Sequence, residues 1–282
     1  MKLAAQDFLT QQNKSITLMG MSGLGKTTLS EILAHAGWYH YSADYRIGTA
    51  YLNDPIIAQL REEVENIPAV SDLLDSGTIK FQNNISIDNL KPLSTFIGKI
   101  GNPEQGGLSL EEFKKRQALY LQGEIAAMHD VPSFILKAKS QGHAHFVNDS
   151  TGSLCELGNE SAYKTIAEHS VLIYIKATRA DEEELIARAQ AYPKPLYFGA
   201  DFLEEKLAEY MRANGLDYVA LVDPDDFASW VFPELFRSRL PKYDYLAKTY
   251  GYTISADDAR QVKTADDLNN LIASAMKLQE AA

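Results

Sequence analysis

From Gly20 to Thr28 the chain reads Gly20-Met21-Ser22-Gly23-Leu24-Gly25-Lys26-Thr27-Thr28, a Gly-x4-Gly-Lys-Thr pattern. Residue types in this order suit the binding of phosphate. Glycines let the backbone fold around an anion, so that several N–H groups and the positive end of a following helix point inward. Lys26 is spaced to meet the β- and γ-phosphates of a nucleotide. Thr27 can offer its hydroxyl to a phosphate-bound Mg²⁺, and Thr28 can touch the α-phosphate. Gly20, Ser22, Gly23, Leu24, Gly25, Lys26, Thr27 and Thr28 are therefore the expected nucleotide-binding residues. A glycine-rich turn with a surface lysine is the plain alternative.

Such a loop needs a strand before it and a helix after it, and both are legible. Residues 15–19 are a short β-prone run, and residues 27–36 read as a helix stopped by Gly37. A second buried strand, 38–43, ends at Asp44. After Gly142 the alternation resumes, with strands expected at 143–149, ending at Asp149, at 171–177 and at 252–255. Helices are expected at 159–168, 181–191, 201–214 and from Thr264 through Met276. In a doubly wound sheet ligands gather outside the carboxyl ends of the strands, so Asp44 and Asp149 should face the same crevice as the phosphate loop.

Those positions suggest roles. Asp44 is placed to hold and deprotonate a hydroxyl substrate, and Arg46, two residues on, to bind an anionic group on it. Asp149 would orient Mg²⁺ together with Thr27. Both acids also suit helix capping. His143 and His145 lie on one strand face without a third ligand in view.

Residues 52–141 are helical and irregular, with prolines at 55, 68, 92, 103 and 132. They read as a substrate-covering insertion between two parts of an α/β core, 1–51 and 142–282. Its clearest helix, 109–129, carries Lys114, Lys115 and Arg116, and Arg116 is the candidate there for an acidic substrate. Arg188 precedes a stiff Tyr192-Pro193-Lys194-Pro195 loop and is the candidate lid cation, catalytic if it meets the transferred phosphoryl group. Lys194 is the other candidate, and a pairing of Arg188 with Glu184 is the structural alternative. Arg237, Arg239, Lys242 and tyrosines 243, 245, 250 and 252 form a basic, aromatic patch.

Composition narrows the class. With 27 basic against 38 acidic residues the net charge is −11, which disfavours bulk binding to nucleic acid or an anionic membrane. A single cysteine, Cys155, excludes an internal disulfide and a cysteine-rich zinc site. No apolar run approaches a membrane span and no signal peptide opens the chain, so a cytoplasmic protein is expected. Spacing does not indicate an oligomeric state.

Gly20 to Thr28, Ser42-Ala43-Asp44 and Arg188 before a proline-containing loop resemble the P-loop kinase group that includes shikimate kinase, gluconate kinase and dephospho-CoA kinase. The resemblance covers about a quarter of the chain and implies ATP, Mg²⁺ and a small hydroxylated acceptor touched by the acid after the second strand. Asp44-Tyr45-Arg46 stands where shikimate kinase-like enzymes usually show Asp-x-Asp, and Asn148-Asp149-Ser150 where they carry three glycines. The expected fold is thus an α/β P-loop NTPase with a doubly wound parallel sheet of about five strands. The expected activity is ATP- and Mg-dependent phosphoryl transfer, with catalytic Lys26, Asp44 and Arg188, to a hydroxylated, anionic acceptor held by Asp44, Arg46 and Arg116. Two alternatives remain. One is a P-loop ATPase serving as a nucleotide-dependent switch for a protein partner through the insertion. The other is a transferase resembling tRNA isopentenyltransferases, through the Ser-x-Asp strand end and Ile47-Gly48-Thr49-Ala50.

Overall fold

The computed structural model describes residues 2–280. Five strands, β1 (Ser15–Met19), β2 (Tyr39–Ser42), β3 (Phe146–Asp149), β4 (Val171–Lys176) and β5 (Gly251–Ser255), form one sheet in the order β2-β3-β1-β4-β5. Every pairing is parallel. A parallel sheet is covered by helices on both faces, so its strands read as near-continuous apolar runs. Ile16 to Met19 and Val171 to Ile175 are all buried accordingly. The chain is an α/β P-loop protein with the expected doubly wound core.

Register fixes which residues share an edge. Leu18 lies opposite Asp149, and Asp149 opposite Ser42, so β1, β2 and β3 end level. The phosphate loop after β1, Asp44 just beyond β2 and Asp149 at the end of β3 therefore emerge at one rim.

Two long helices differ from expectation. The helix expected to end near residue 129 runs from Leu110 to Ser140 and contains Pro132. A second helix, Pro224–Tyr250, passes through Pro233 and Pro241 and carries the basic, aromatic patch expected near the last strand, apart from Tyr252, which lies in β5. An internal proline removes one ladder hydrogen bond. Burial offsets that loss, since Ala127, Met128, Val131, Ile135 and Ala138 of the first helix join the main core, as do Phe236, Tyr243, Leu246 and Ala247 of the second.

A separate apolar cluster packs Ile100 and Phe113 against Phe198, Leu203, Leu207, Tyr210, Val222, Phe227, Val231 and Leu235. Backbone bonds join the same segments: the Asn102 N–H donates to the Val222 carbonyl at 2.8 Å. Leu110 and Phe113 at the start of the Leu110–Ser140 helix thus join this second cluster, and from Leu119 onward the helix packs on the main core.

Candidate active site

At the phosphate loop Gly23 and Gly25 hold φ of 91° and 88°, in the left-handed region that favours glycine. Gly25 caps the helix Lys26–His35 with no side-chain bond, so the first-turn N–H groups face the loop's hollow. Ser22, Thr27 and Thr28 are exposed at its mouth, and Leu24 is buried beneath it. The buried Lys26 ammonium donates to the carbonyls of Gly20 at 2.8 Å and Met21 at 3.2 Å. Burial lowers its pKa, and the nearby Asp149 and Asp44 oppose that shift.

Thr27 Oγ1 donates to Asp149 Oδ2 at 2.7 Å, joining the two residues expected to organise a metal. Both are oxygen donors, the chemistry a hard cation such as Mg²⁺ prefers. Among the described residues no cluster of three or more His, Cys, Asp or Glu could hold a metal ion alone. The pair therefore fits Mg²⁺ that keeps most of its ligands as phosphate and water. His40 Nε2 stands 3.8 Å from the same Asp149 oxygen.

Asp44 sits in the short helix Ala43–Arg46, whose start is capped by Ser42 Oγ accepting from the Tyr45 N–H. It is half-buried, and burial first, then the neighbouring Asp149, pushes its pKa up to about 6 against the pull of Lys26. The Tyr120 hydroxyl donates to Asp44 Oδ1 at a long 3.4 Å. A carboxylate whose proton leaves near neutrality, beside a phosphate loop, can serve as a general base.

Arg188 is exposed and close to the loop, for a Cβ built on Gly23 would collide with its Nη2. Among the described residues Arg188 forms no ion pair with Glu184. Lys194 is exposed on the loop that follows, and Arg179, at the start of the same helix, pairs with Glu183. Arg46 and Arg116 are not brought to Asp44. Arg46 Nε pairs with Asp130 Oδ2 at 2.7 Å, and its guanidinium lies over the rings of Tyr51 and Phe134. Arg116 is buried, paired with Glu112 at 2.7 Å and donating to the Phe96 carbonyl at 3.0 Å. The partner of Arg46 lies 84 residues away in the chain, whereas Arg116 makes the i,i+4 pair with Glu112 that helix spacing offers. The two histidines are structural: His143 Nδ1 bonds the Gly37 carbonyl, and His145 Nδ1 accepts from the Lys14 N–H.

Two acids missed by sequence reasoning, Glu124 and Glu156, lie beside the loop after β3 together with Arg239 of the basic, aromatic patch. Glu124, fully buried on the Leu110–Ser140 helix, accepts from the hydroxyls of Thr151 and Ser153 in the loop after β3. Burial raises its pKa to about 7, with those hydroxyls opposing. Arg239 and Glu156, both buried, form a forked pair at 2.8 and 2.6 Å, to which Lys242 adds a contact at 3.0 Å. Arg239 also donates to the carbonyls of Gly152 and Tyr197. Gly152 abuts Ser22 of the phosphate loop, where a Cβ would collide with the serine hydroxyl. One signal was available for Glu124: an acid on the apolar stripe that includes Tyr120, Ala127 and Met128. Nothing local marks the pairing of Arg239 with Glu156, which lie 83 residues apart.

Sheet order and the loop after β1 together define an α/β fold of the P-loop type. No family model matches the chain, and no curated protein matches it. Among solved structures it is similar to shikimate kinase from Bacteroides thetaiotaomicron, at 12% identity and TM-score 0.40, covering 95% of this chain and 98% of that one. Shikimate kinase from Acinetobacter baumannii in complex with shikimate matches at 13% identity and TM-score 0.40, over 91% and 93% of the two chains. The Aquifex aeolicus enzyme matches at 15% and TM-score 0.25, over 80% and 98%. No helix among the described residues is long and apolar enough to cross a membrane.

Proposed function

We propose that this chain is an ATP- and Mg-dependent phosphotransferase acting on the hydroxyl of a small acceptor. The observation that carries the reading is the convergence of Lys26, the Thr27–Asp149 pair and a near-neutral Asp44 on one rim. Thr27 and Asp149 would hold Mg²⁺, which neutralises phosphate charge when bound. Lys26 and the N–H groups of residues 22–28 hold the phosphates, and Lys26 stays with them as charge redistributes. Arg188, next to Gly23, reaches the same phosphates on closure of its loop and excludes water. Asp44 accepts the acceptor's proton as its oxygen bonds to the γ-phosphorus and the bond to the departing ADP oxygen breaks. Glu124 and Arg239 do not touch the reacting atoms and position the loop after β3.

The test is a thermal-shift series of nucleotides with and without Mg²⁺. ATP with Mg²⁺ should stabilise the protein by RT ln(1 + [L]/Kd), about 2.7 kcal/mol at a hundredfold excess over Kd. A small hydroxylated acceptor should add to that only when nucleotide is present. No response to any nucleotide would sink the reading.

A further inference from the structure

Strand β2 has two faces with different duties. Tyr39 and Tyr41 meet Phe134 of the Leu110–Ser140 helix, and the Tyr41 hydroxyl donates to the Ala127 carbonyl at 2.7 Å. Successive side chains of a strand point to opposite faces, so His40 and Ser42 look the other way, toward the Lys26–His35 helix that packs on β2 and β3. The parallel register sets Ser42 opposite Asp149 and His40 opposite Val147. His40 and Asp149 are therefore diagonal neighbours on one face, within reach of a long side chain.

His40 differs from the two histidines that precede β3. His143 and His145 bond backbone groups through Nδ1. The His40 side chain is 10% exposed, and its buried Nε2 has no hydrogen-bond partner among the described residues. A buried polar atom left without a partner costs stability and calls for an explanation. The group it faces is Asp149 Oδ2, 3.8 Å away on a side chain 8% exposed. An imidazole nitrogen that carries hydrogen suits a carboxylate oxygen, and the gap exceeds hydrogen-bond length by about 1 Å. Asp149 Oδ2 already accepts from Thr27 Oγ1 at 2.7 Å. One donor leaves a carboxylate free to turn about that bond, and a second donor fixes it.

We propose that His40 is a positioning residue for the metal pair: its Nε2–H donates to Asp149 Oδ2 when Mg-nucleotide is bound and holds the carboxylate toward the water shell of the metal. This rests on the phosphotransfer reading above. Active-site hydrogen bonds commonly tighten when substrate binds, and a small turn of either side chain closes this gap. Outer partners of metal-site side chains typically set metal affinity by about 10- to 100-fold. His40 acts through Asp149 and holds no phosphate itself, so metal-free nucleotide binding does not depend on it.

Calorimetry separates these effects. The full chain is titrated with a non-hydrolysable ATP analogue, once with Mg²⁺ and once with EDTA, and the gain in affinity from Mg²⁺ is compared across variants. His40→Phe keeps a ring and removes both nitrogens; it should cut the gain about tenfold and leave the affinity in EDTA within about twofold of wild type. His40→Gln places an amide N–H near the position of Nε2 and should restore the gain to within about threefold of wild type. In an Asp149→Asn background His40→Phe should have no further effect, because the carboxylate it positions is gone. An unchanged gain in His40→Phe, an equal loss of affinity in Mg²⁺ and EDTA, a His40→Gln protein no better than His40→Phe, or a full additional loss in the Asp149→Asn background overturns the assignment. Should His40→Phe fail to fold, His40→Asn, whose amide stops short of Asp149, carries the same expectation. If Mg²⁺ gives wild type no gain, the phosphotransfer reading fails and the role of His40 with it. If the gain is present and His40→Phe keeps it, only the role of His40 fails.

Discussion

On the phosphate side of the rim, Lys26 bonds only backbone carbonyls and Arg188 rests against Gly23 with no carboxylate partner among the described residues. On the acceptor side Arg46, Lys114, Lys115 and Arg116 each hold a carboxylate, while Asp44 and Glu124 keep pKa values raised by burial. One side keeps positive charge ready for an anion and the other uses its cations for structure. The arginines of this rim thus differ in whether a carboxylate reaches them, from four residues away for Arg116 and from 84 for Arg46. A sequence pattern of cations says little about acceptor charge until those partners are placed.

The largest expected effect concerns the strut beneath the comparison. Arg239→Met removes one member of a buried pair and leaves Glu156, 1% exposed at its side chain, with Lys242 alone. Breaking such a pair costs about 3–5 kcal/mol, so the urea midpoint should fall steeply. A loss under about 1 kcal/mol would mean the pair does not tie the loop after β3 to the helix Pro224–Tyr250.

Arg188→Ala sharpens the phosphate side. Removing a cation that acts mainly during transfer should lower kcat by about 10²- to 10³-fold with little change in nucleotide affinity. If Lys194→Ala produces that loss instead, the lid cation is Lys194.

Glu124→Gln probes the acceptor side through stability. The folded-state pKa of Glu124 is raised, so the folded protein binds this proton more tightly than the unfolded chain does. Stability therefore falls as pH rises from about 4.5 toward about 7. Wild type should lose on the order of 1–3 kcal/mol across this window from Glu124, and Glu124→Gln should not. Parallel pH curves for the two proteins, by thermal melting, would remove the buried charge from the account.

The phosphate loop and the ends of β1, β2 and β3 were legible because each is a local signal, a motif or an apolar run stopped by an acid. Asp44 and Asp149 could be placed together since strand ends of a parallel sheet share a rim. The helix Pro224–Tyr250 was not, as Pro233 and Pro241 read as breaks and only tertiary burial offsets them. Arg46 looked available for substrate because Asp130 is 84 positions away, whereas the carboxylate partner of Arg116, Glu112, is four positions away and was legible from helix spacing. The pairing of Arg239 with Glu156, 83 positions apart, left no local trace for the same reason.

The most direct test separates the two sides by paired substitution, with Mg-ATP affinity measured by calorimetry and phosphoryl transfer by ADP release. Lys26→Ala removes a cation that meets phosphate in both ground and transition states, so affinity and transfer should fall together. Asp44→Asn keeps the shape and loses the basicity, so Mg-ATP affinity should stay near wild type while transfer drops by about 10²- to 10⁴-fold. Unchanged transfer in Asp44→Asn, or a loss of Mg-ATP affinity as large as that of Lys26→Ala, would contradict the division of this rim into a phosphate side and an acceptor side.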